Sequence, residues 1–273
     1  MVADVSSTET MASAYSWTNI SWLVGSTVGP FLGGVVADLF GIRFPFLACF
    51  LLRFAVFPLA LLLEETWRKP KVESGNHVIQ KEEVVDVYLL TVSVFSLINM
   101  IQGLAVGVTT PVIPIFVESI FHVDYTFIGI LYAIGFGVAS IIVQIPGSKC
   151  SDLFDRRKVM FIAFVVSSPF FLLFAFSRNT LELILFMFVS NAILNLSWSP
   201  FQTLMMDATP SSKWGFVNGV SATTFWVGML TGNALSGILW DSLGMLAPFY
   251  VSSTATALSA LPLLLLKETR ANA

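Results

Sequence analysis

Gly34-Val35-Val36-Ala37-Asp38-Leu39-Phe40-Gly41 has a second copy in Gly237-Ile238-Leu239-Trp240-Asp241-Ser242-Leu243-Gly244, 203 residues further along the chain. Extending this register without a gap pairs residues 4–66 with 207–269 and finds 15 identities in 63 positions: Asp4, Val24, Gly25, Gly29, Leu32, Gly34, Asp38, Gly41, Pro45, Phe46, Leu61, Leu62, Leu63, Glu65 and Thr66. Leucine matches are cheap in so apolar a chain, but glycine, aspartate and proline matches are not. Both copies place Gly-x3-Asp-x2-Gly at one corner of a helix pair, so the duplication is parallel. Transporter folds are commonly built from such repeats.

Composition says what kind of helices these are. The 273 residues are 56% hydrophobic and 11% charged, with a mean hydropathy of +0.82, against about 25% charged in soluble domains. A chain with so few charges cannot coat a soluble globule. Net charge −3 and pI near 5.4 also give no basic field for nucleic acid. Cys49 lies in an apolar run and Cys150 in a polar stretch, which makes neither a disulfide framework nor a metal site. No cofactor is expected, and lipid is the expected surrounding.

Apolar runs predict an all-α membrane protein of eight spans, at residues 13–37, 44–64, 87–117, 126–147, 158–177, 181–206, 214–240 and 246–266. The third is long enough to tilt, or to continue beyond the bilayer after Pro111 and Pro114. Stretches such as Leu47 to Leu63 do not alternate as barrel strands do. Residues 1–11 contain no Lys or Arg and so lack the basic start of a secretory signal. Basic residues are retained in cytoplasmic loops. With the N-terminus inside, eleven Lys and Arg fall in cytoplasmic segments and only Arg43 and Arg178 outside. Both termini are therefore expected in the cytoplasm, with the protein in the plasma membrane. Arg53 is the one basic residue placed mid-span; it either snorkels to a surface or pairs with a group in helices not represented here.

A repeat of about 203 residues implies some six helices per unit. The second unit supplies six and the first only its last two. The expected domains are 1–66, the last two helices of an N-terminal half; 67–84, a charged cytoplasmic linker; and 85–273, a six-helix C-terminal half, with about four helices of the first half not represented.

Three motifs resemble the major facilitator superfamily of secondary transporters. Gly25-x3-Gly29-Pro30-x2-Gly33-Gly34 is similar to the fifth-helix signature of the family's antiporters. The stretch from Ser148 to Lys158 resembles its Gly-x3-Asp-Arg-x-Gly-Arg-Lys/Arg cytoplasmic loop, with Ser148 and Asp155 in place of glycines and Leu153 in place of the first Arg. Asp207-x2-Pro210-x2-Lys213-x-Gly215 resembles a further interhelical connection. The resemblance implies two six-helix halves that rock about a central site, with the first half here incomplete.

Site candidates follow from residue chemistry read beside that resemblance. Glycines four apart let backbones approach in lipid, which nominates Gly25, Gly29, Gly33 and Gly34 and their counterparts Gly228, Gly232 and Gly237 as packing or conformational residues, with Pro30 as a bend. Asp152, Arg156 and Arg157 form a candidate cytoplasmic gate, or simply a basic cluster held inside. Intramembrane amides are costly and face a cavity or another helix. Asn99 and Gln102, then Asn191, Asn195 and Gln202 with Trp198 beside them, are candidates for the substrate pathway or for interhelical hydrogen bonds. Gln144, Asn218, Trp226 and Asn233 are weaker ones. An enzyme would need acid, base or nucleophile pairs at bilayer depth, and the two histidines, His77 and His122, lie in loops. The favoured function is secondary transport of a small neutral or hydrophobic solute, by efflux antiport. The alternative is a non-transporting subunit or remnant, whose partner is the missing N-terminal half or another copy of the chain.

This topology places Cys150 at the cytoplasmic face. In a Cys49→Ser background, an impermeant thiol reagent should label Cys150 in sealed right-side-out vesicles only after permeabilisation. Ready labelling of intact vesicles would overturn the orientation.

Overall fold

A glycine that stops a helix in a conformation other residues resist explains why the two copies of the repeat turn alike. Helix α1 (Met11–Phe40) and helix α10 (Trp214–Leu243) end at Gly41 and Gly244, each with φ of +93°. That region is open to glycine at little cost. The Gly41 N–H donates to Ala37 O at 2.8 Å and the Gly244 N–H to Trp240 O at 3.1 Å. Phe44 and Ala247 then donate back to the two glycine carbonyls, both at 3.0 Å. Pro45 and Pro248 sit in the first turns of the following helices, α2 (Arg43–Leu61) and α11 (Ala247–Leu258), where a missing N–H costs nothing.

The computed structural model describes residues 11–61, 81–210 and 213–266. Between the repeat copies lie α3 (Lys81–Thr109), α4 (Val112–Phe121), α5 (Tyr125–Tyr132), a π-helical turn (Ala133–Val138), α6 (Ala139–Leu153), α7 (Arg156–Ala175), α8 (Thr180–Asn195) and α9 (Trp198–Asp207). A 3₁₀ turn (Leu261–Leu265) follows α11. Among the described residues there is no strand. The fold is therefore all-α, as composition required. Among the described residues six segments are long and apolar enough to cross a bilayer: Ser21–Phe40, Leu90–Phe121, Tyr125–Gln144, Arg156–Ala175, Thr180–Asp207 and Ala247–Leu265. The other two expected spans are helical as α2 and α10. Much of α10 is Gly, Ser, Thr and Asn, which lowers its mean hydropathy.

Several expected spans are interrupted, each for a local reason. Pro111 has no N–H and separates α3 from α4. Pro200 lies in the first turn of α9, and the expected single helix 181–206 breaks at Leu196 and Ser197. Pro262 turns the end of the last span into 3₁₀. Within the fourth span, Gly135 and Gly137 lie in the π turn, and a Cβ at Gly135 would meet the Met187 side chain at 2.7 Å. The expected loop from Ser148 is helical through Leu153, leaving only Phe154 and Asp155 between α6 and α7.

The chain forms two compact units: Met1–Ile79 together with Asp124–Ala133, and Gln80–Val123 together with Ile134–Ala273. Of the expected linker 67–84, residues 67–80 lie outside the described residues and 81–84 form the start of α3. In the smaller unit α1 and α5 run antiparallel, Gly34 lying against the Tyr125 backbone and Gly129 against that of Pro30.

In the larger unit α3 and α10 run parallel, and glycines from both helices make the contact. A Cβ at Gly103 would strike the carbonyl of Phe225, one at Gly107 that of Met229, one at Gly228 that of Met100, and one at Gly232 that of Leu104. Backbone lies against backbone along about two turns. Toward the start of α3, Val94, Phe95, Ile98, Met160, Phe164, Phe201, Met205, Val217, Ala260 and Leu263 form one buried cluster, with Phe95 and Phe201 edge to face at 4.8 Å. Beyond its end, Phe116 packs on Phe249 at 4.9 Å and on Phe174 at 6.2 Å. Between these clusters α7 and α11 exchange bonds: each of the Ser168 and Ser253 hydroxyls donates to the other's carbonyl, at 2.8 and 2.9 Å.

Because Gly228 abuts backbone and Gly219 has nothing within 4 Å, Gly228→Leu should destabilise the larger unit by about 1–3 kcal/mol or more, while Gly219→Leu stays near wild type. Denaturant titration of the purified chain in detergent checks this. Equal stabilities of the two variants would contradict the contact.

Candidate functional site

The described polar groups of the larger unit fall into three sets. The first joins helices. Asn99 and Gln102, three apart on α3, are both buried. The Asn99 amide donates to the Ser221 hydroxyl on α10, and the Gln102 amide to the Ser259 hydroxyl, just after α11, at 2.6 Å. An amide in lipid must find a partner, and here the partners are serines small enough to let the helices close.

The second set lies on α8 and α9. Asn191 is buried and donates to Met187 O at 2.8 Å; Asn195 is half-buried and donates to Asn191 O at 2.8 Å. Both amide nitrogens are satisfied by their own helix. Gln202 follows Leu196 and Ser197, which keep right-handed helical backbone angles but interrupt the regular helix between α8 and α9. On α9, Trp198 is 56% exposed and stacks on Phe201 with ring planes 10° apart at 6.4 Å. Gln202 is half-buried, with no hydrogen-bond partner among the described residues. Asn195, Trp198 and Gln202 thus flank a break in the helix.

Charges make up the third set. Asp155 caps α7 by accepting the Arg157 N–H at 3.0 Å. Arg156 pairs with Asp207 at the end of α9, and the Arg157 guanidinium donates to the Leu266 carbonyl beyond the last 3₁₀ turn. Two adjacent arginines therefore tie the start of α7 to the end of α9 and to the backbone just after the last 3₁₀ turn. The side chain of Asp152, the third member of the candidate gate, lies outside the described residues.

The glycine candidates divide. Gly34, Gly228 and Gly232 meet backbone, whereas nothing described lies within 4 Å of Gly25, Gly29, Gly33 or Gly237. Pro30 lies within α1 and its carbonyl abuts Gly129. Sequence reasoning found Asp38 as a repeat match without a task for it. Its carboxylate accepts the Tyr125 N–H at 3.0 Å and the Thr126 N–H at 2.6 Å, while Asp124 accepts the Phe127 N–H at 2.9 Å. The first three N–H groups of α5, which no helix can satisfy internally, are all bonded to carboxylates. An aspartate four residues beyond a close-packed glycine was the available signal.

This arrangement is that of a packed helical half with internal amide ties, and residues 95–273 match the family model of the Major Facilitator Superfamily. The chain belongs to the major facilitator superfamily. Members of this superfamily are transporters and not enzymes, and this one is an integral, multi-pass membrane protein. It is 24% identical over 260 residues to the multi-drug resistance efflux pump PmrA of Streptococcus pneumoniae, covering 93% of this chain and 64% of the pump. It is 25% identical over 240 residues to the multidrug resistance protein MdtG of Enterobacter lignolyticus, covering 86% of this chain and 57% of that protein. It is also 25% identical over 186 residues to the class H tetracycline resistance protein of Pasteurella multocida, covering 66% and 45%. The facilitator chain thus spans less than two thirds of the length of these relatives.

If Asn99 and Ser221 act as one tie, removing one partner strands the other. Asn99→Leu and Ser221→Ala should each cost about 1–2 kcal/mol, and the double variant less than their sum by about 0.5–1.5 kcal/mol. A double-mutant cycle by denaturant titration measures the coupling. Strict additivity would show that the two side chains act independently.

Proposed function

We propose that the chain is part of a secondary transporter that exports a small neutral or hydrophobic solute by antiport, with the pathway side of its six-helix half marked by Asn195, Trp198 and Gln202. The observation that carries this reading is the break between α8 and α9. It leaves an aromatic ring and two amides partly accessible, while Asn99 and Gln102 are buried against Ser221 and Ser259. In this reading Asn99, Gln102 and Asn191 hold the wall and the other three face the solute. Rings and neutral amides suit an uncharged, lipophilic solute better than an ion. Drug-resistance names among the relatives support efflux, and the basic-residue asymmetry supports cytoplasmic termini in the plasma membrane.

Arg156 and Arg157 serve as a cytoplasmic latch in this proposal, holding α7 to Asp207 and to the Leu266 carbonyl in one state of the cycle. A second reading, a membrane subunit that does not itself transport, is favoured by one fact: the alignment covers 64% of the pneumococcal pump. Alternating access needs two bundles around one site, so transport by this reading awaits helices supplied from elsewhere.

Reconstitution in liposomes separates these readings. A version completed with the part of the pneumococcal relative outside its aligned region should show counterflow of neutral lipophilic dyes, and residues 1–273 alone should not. In the extended version Asn195→Leu should change KM or dye selectivity several-fold at unchanged expression. Counterflow by residues 1–273 alone would contradict the need for further helices, and unchanged kinetics in Asn195→Leu would place that amide in packing.

A further inference from the structure

The two copies of the repeat share a backbone turn but not a partner. In the first, Gly34 lets the start of α5 approach and Asp38 binds its leading N–H groups. In the second, Gly244 has the same φ of +93° and the same pair of turn hydrogen bonds, so Asp241 stands where Asp38 stands, four residues past Gly237. Yet Gly237 has nothing within 4 Å, Asp241 is exposed, and Asp241 has no hydrogen bond or ion pair among the described residues. The stripe leading to it is open as well: Trp226 is 63% and Leu230 71% exposed, and Asn233 is exposed. The opposite face of the same helix, at Val217, Ser221, Gly228, Gly232 and Ser236, is buried.

We infer that Gly237 and Asp241 form a socket for the N-terminus of a transmembrane helix running antiparallel to α10, contributed by the first half of the transporter fold that residues 1–273 do not represent. The first copy specifies the occupant. Its leading N–H groups lie on Asp241, as those of Tyr125 and Thr126 lie on Asp38. A small residue four positions into the helix, in the place of Gly129, meets the backbone at Asn233, the counterpart of Pro30. A carboxylate at a helix N-terminus is favoured by both the unbonded N–H groups and the helix dipole. The relatives carry more than a third of their length outside the aligned region, which is room for such a helix. A second copy of this chain is the poorer occupant, because the matching helix start it offers, that of α5, is already bonded to Asp38 and Asp124.

The test uses accessibility and not transport, so it stands apart from the proposed activity. Place a single reporter by Ser242→Cys in a Cys49→Ser, Cys150→Ser background, and co-express the part of the pneumococcal relative outside its aligned region as a separate tagged segment. The segment should co-purify with the chain and slow labelling of the reporter by an impermeant maleimide at least fivefold. Asp241→Ala and Gly237→Leu should each abolish that protection and reduce co-purification to a similar extent. Asp241→Asn, which keeps an acceptor oxygen, should keep part of both. Protection unchanged in Asp241→Ala and Gly237→Leu, or absent in the parent chain, would overturn the inference. So would protection that grows with the density of the chain alone, since the occupant would then be a second copy.

Discussion

Everything in the larger unit rests on one contact, the approach of α3 to α10 at Gly103, Gly107, Gly228 and Gly232. Lipid tails are as apolar as leucine, so burial of apolar side chains gives helices little reason to associate in a bilayer; close packing and hydrogen bonds must do it. Four glycines on two parallel helices bring carbonyl groups to where a Cβ would otherwise sit. Only at that separation can the Asn99 amide reach Ser221. The apolar clusters at either end, around Phe95 with Phe201 and around Phe116 with Phe249, then fill the space that the helix pair and α7, α9 and α11 enclose.

Serine and glycine have complementary parts in this packing. Glycine removes side chain where backbones must touch, and serine leaves a small donor where an amide or carbonyl must be satisfied. Ser221, Ser259, Ser168 and Ser253 all bond across helices. The arginines at the start of α7 do the equivalent at the aqueous edge, where water and a larger side chain fit. Long-range ties at bilayer depth are thus neutral and short, while those at the edge are charged and long.

The sequence made the helical class, the repeat and its Gly-x3-Asp-x2-Gly corners legible, because hydropathy and glycine spacing act over whole spans. It also singled out Gly228 and Gly232, whose task depends only on lacking a Cβ. What it could not show depends on a partner in three dimensions. Gly25, Gly29 and Gly33 have the same spacing as the glycines that pack, yet among described residues the contact on α1 comes at Gly34, since the start of α5 reaches only the last turns of that helix. The expected stripe of Asn191, Asn195 and Gln202 crosses the interruption at Leu196 and Ser197, just ahead of Pro200, which only the folded chain displays. The amides of Asn99 and Gln102 left two readings open, because burial against Ser221 and Ser259 is set by α10 and α11, more than a hundred residues away.

If the α3–α10 contact is the foundation, the two helices should open to solvent together and last. Hydrogen exchange on the chain in lipid nanodiscs, followed amide by amide, measures this directly. Residues 98–108 of α3 and 217–232 of α10 should exchange slowest within the larger unit and with one common opening rate, whereas α8 exchanges faster. Independent rates for α3 and α10, or slower exchange in α8 than in either, would contradict the account.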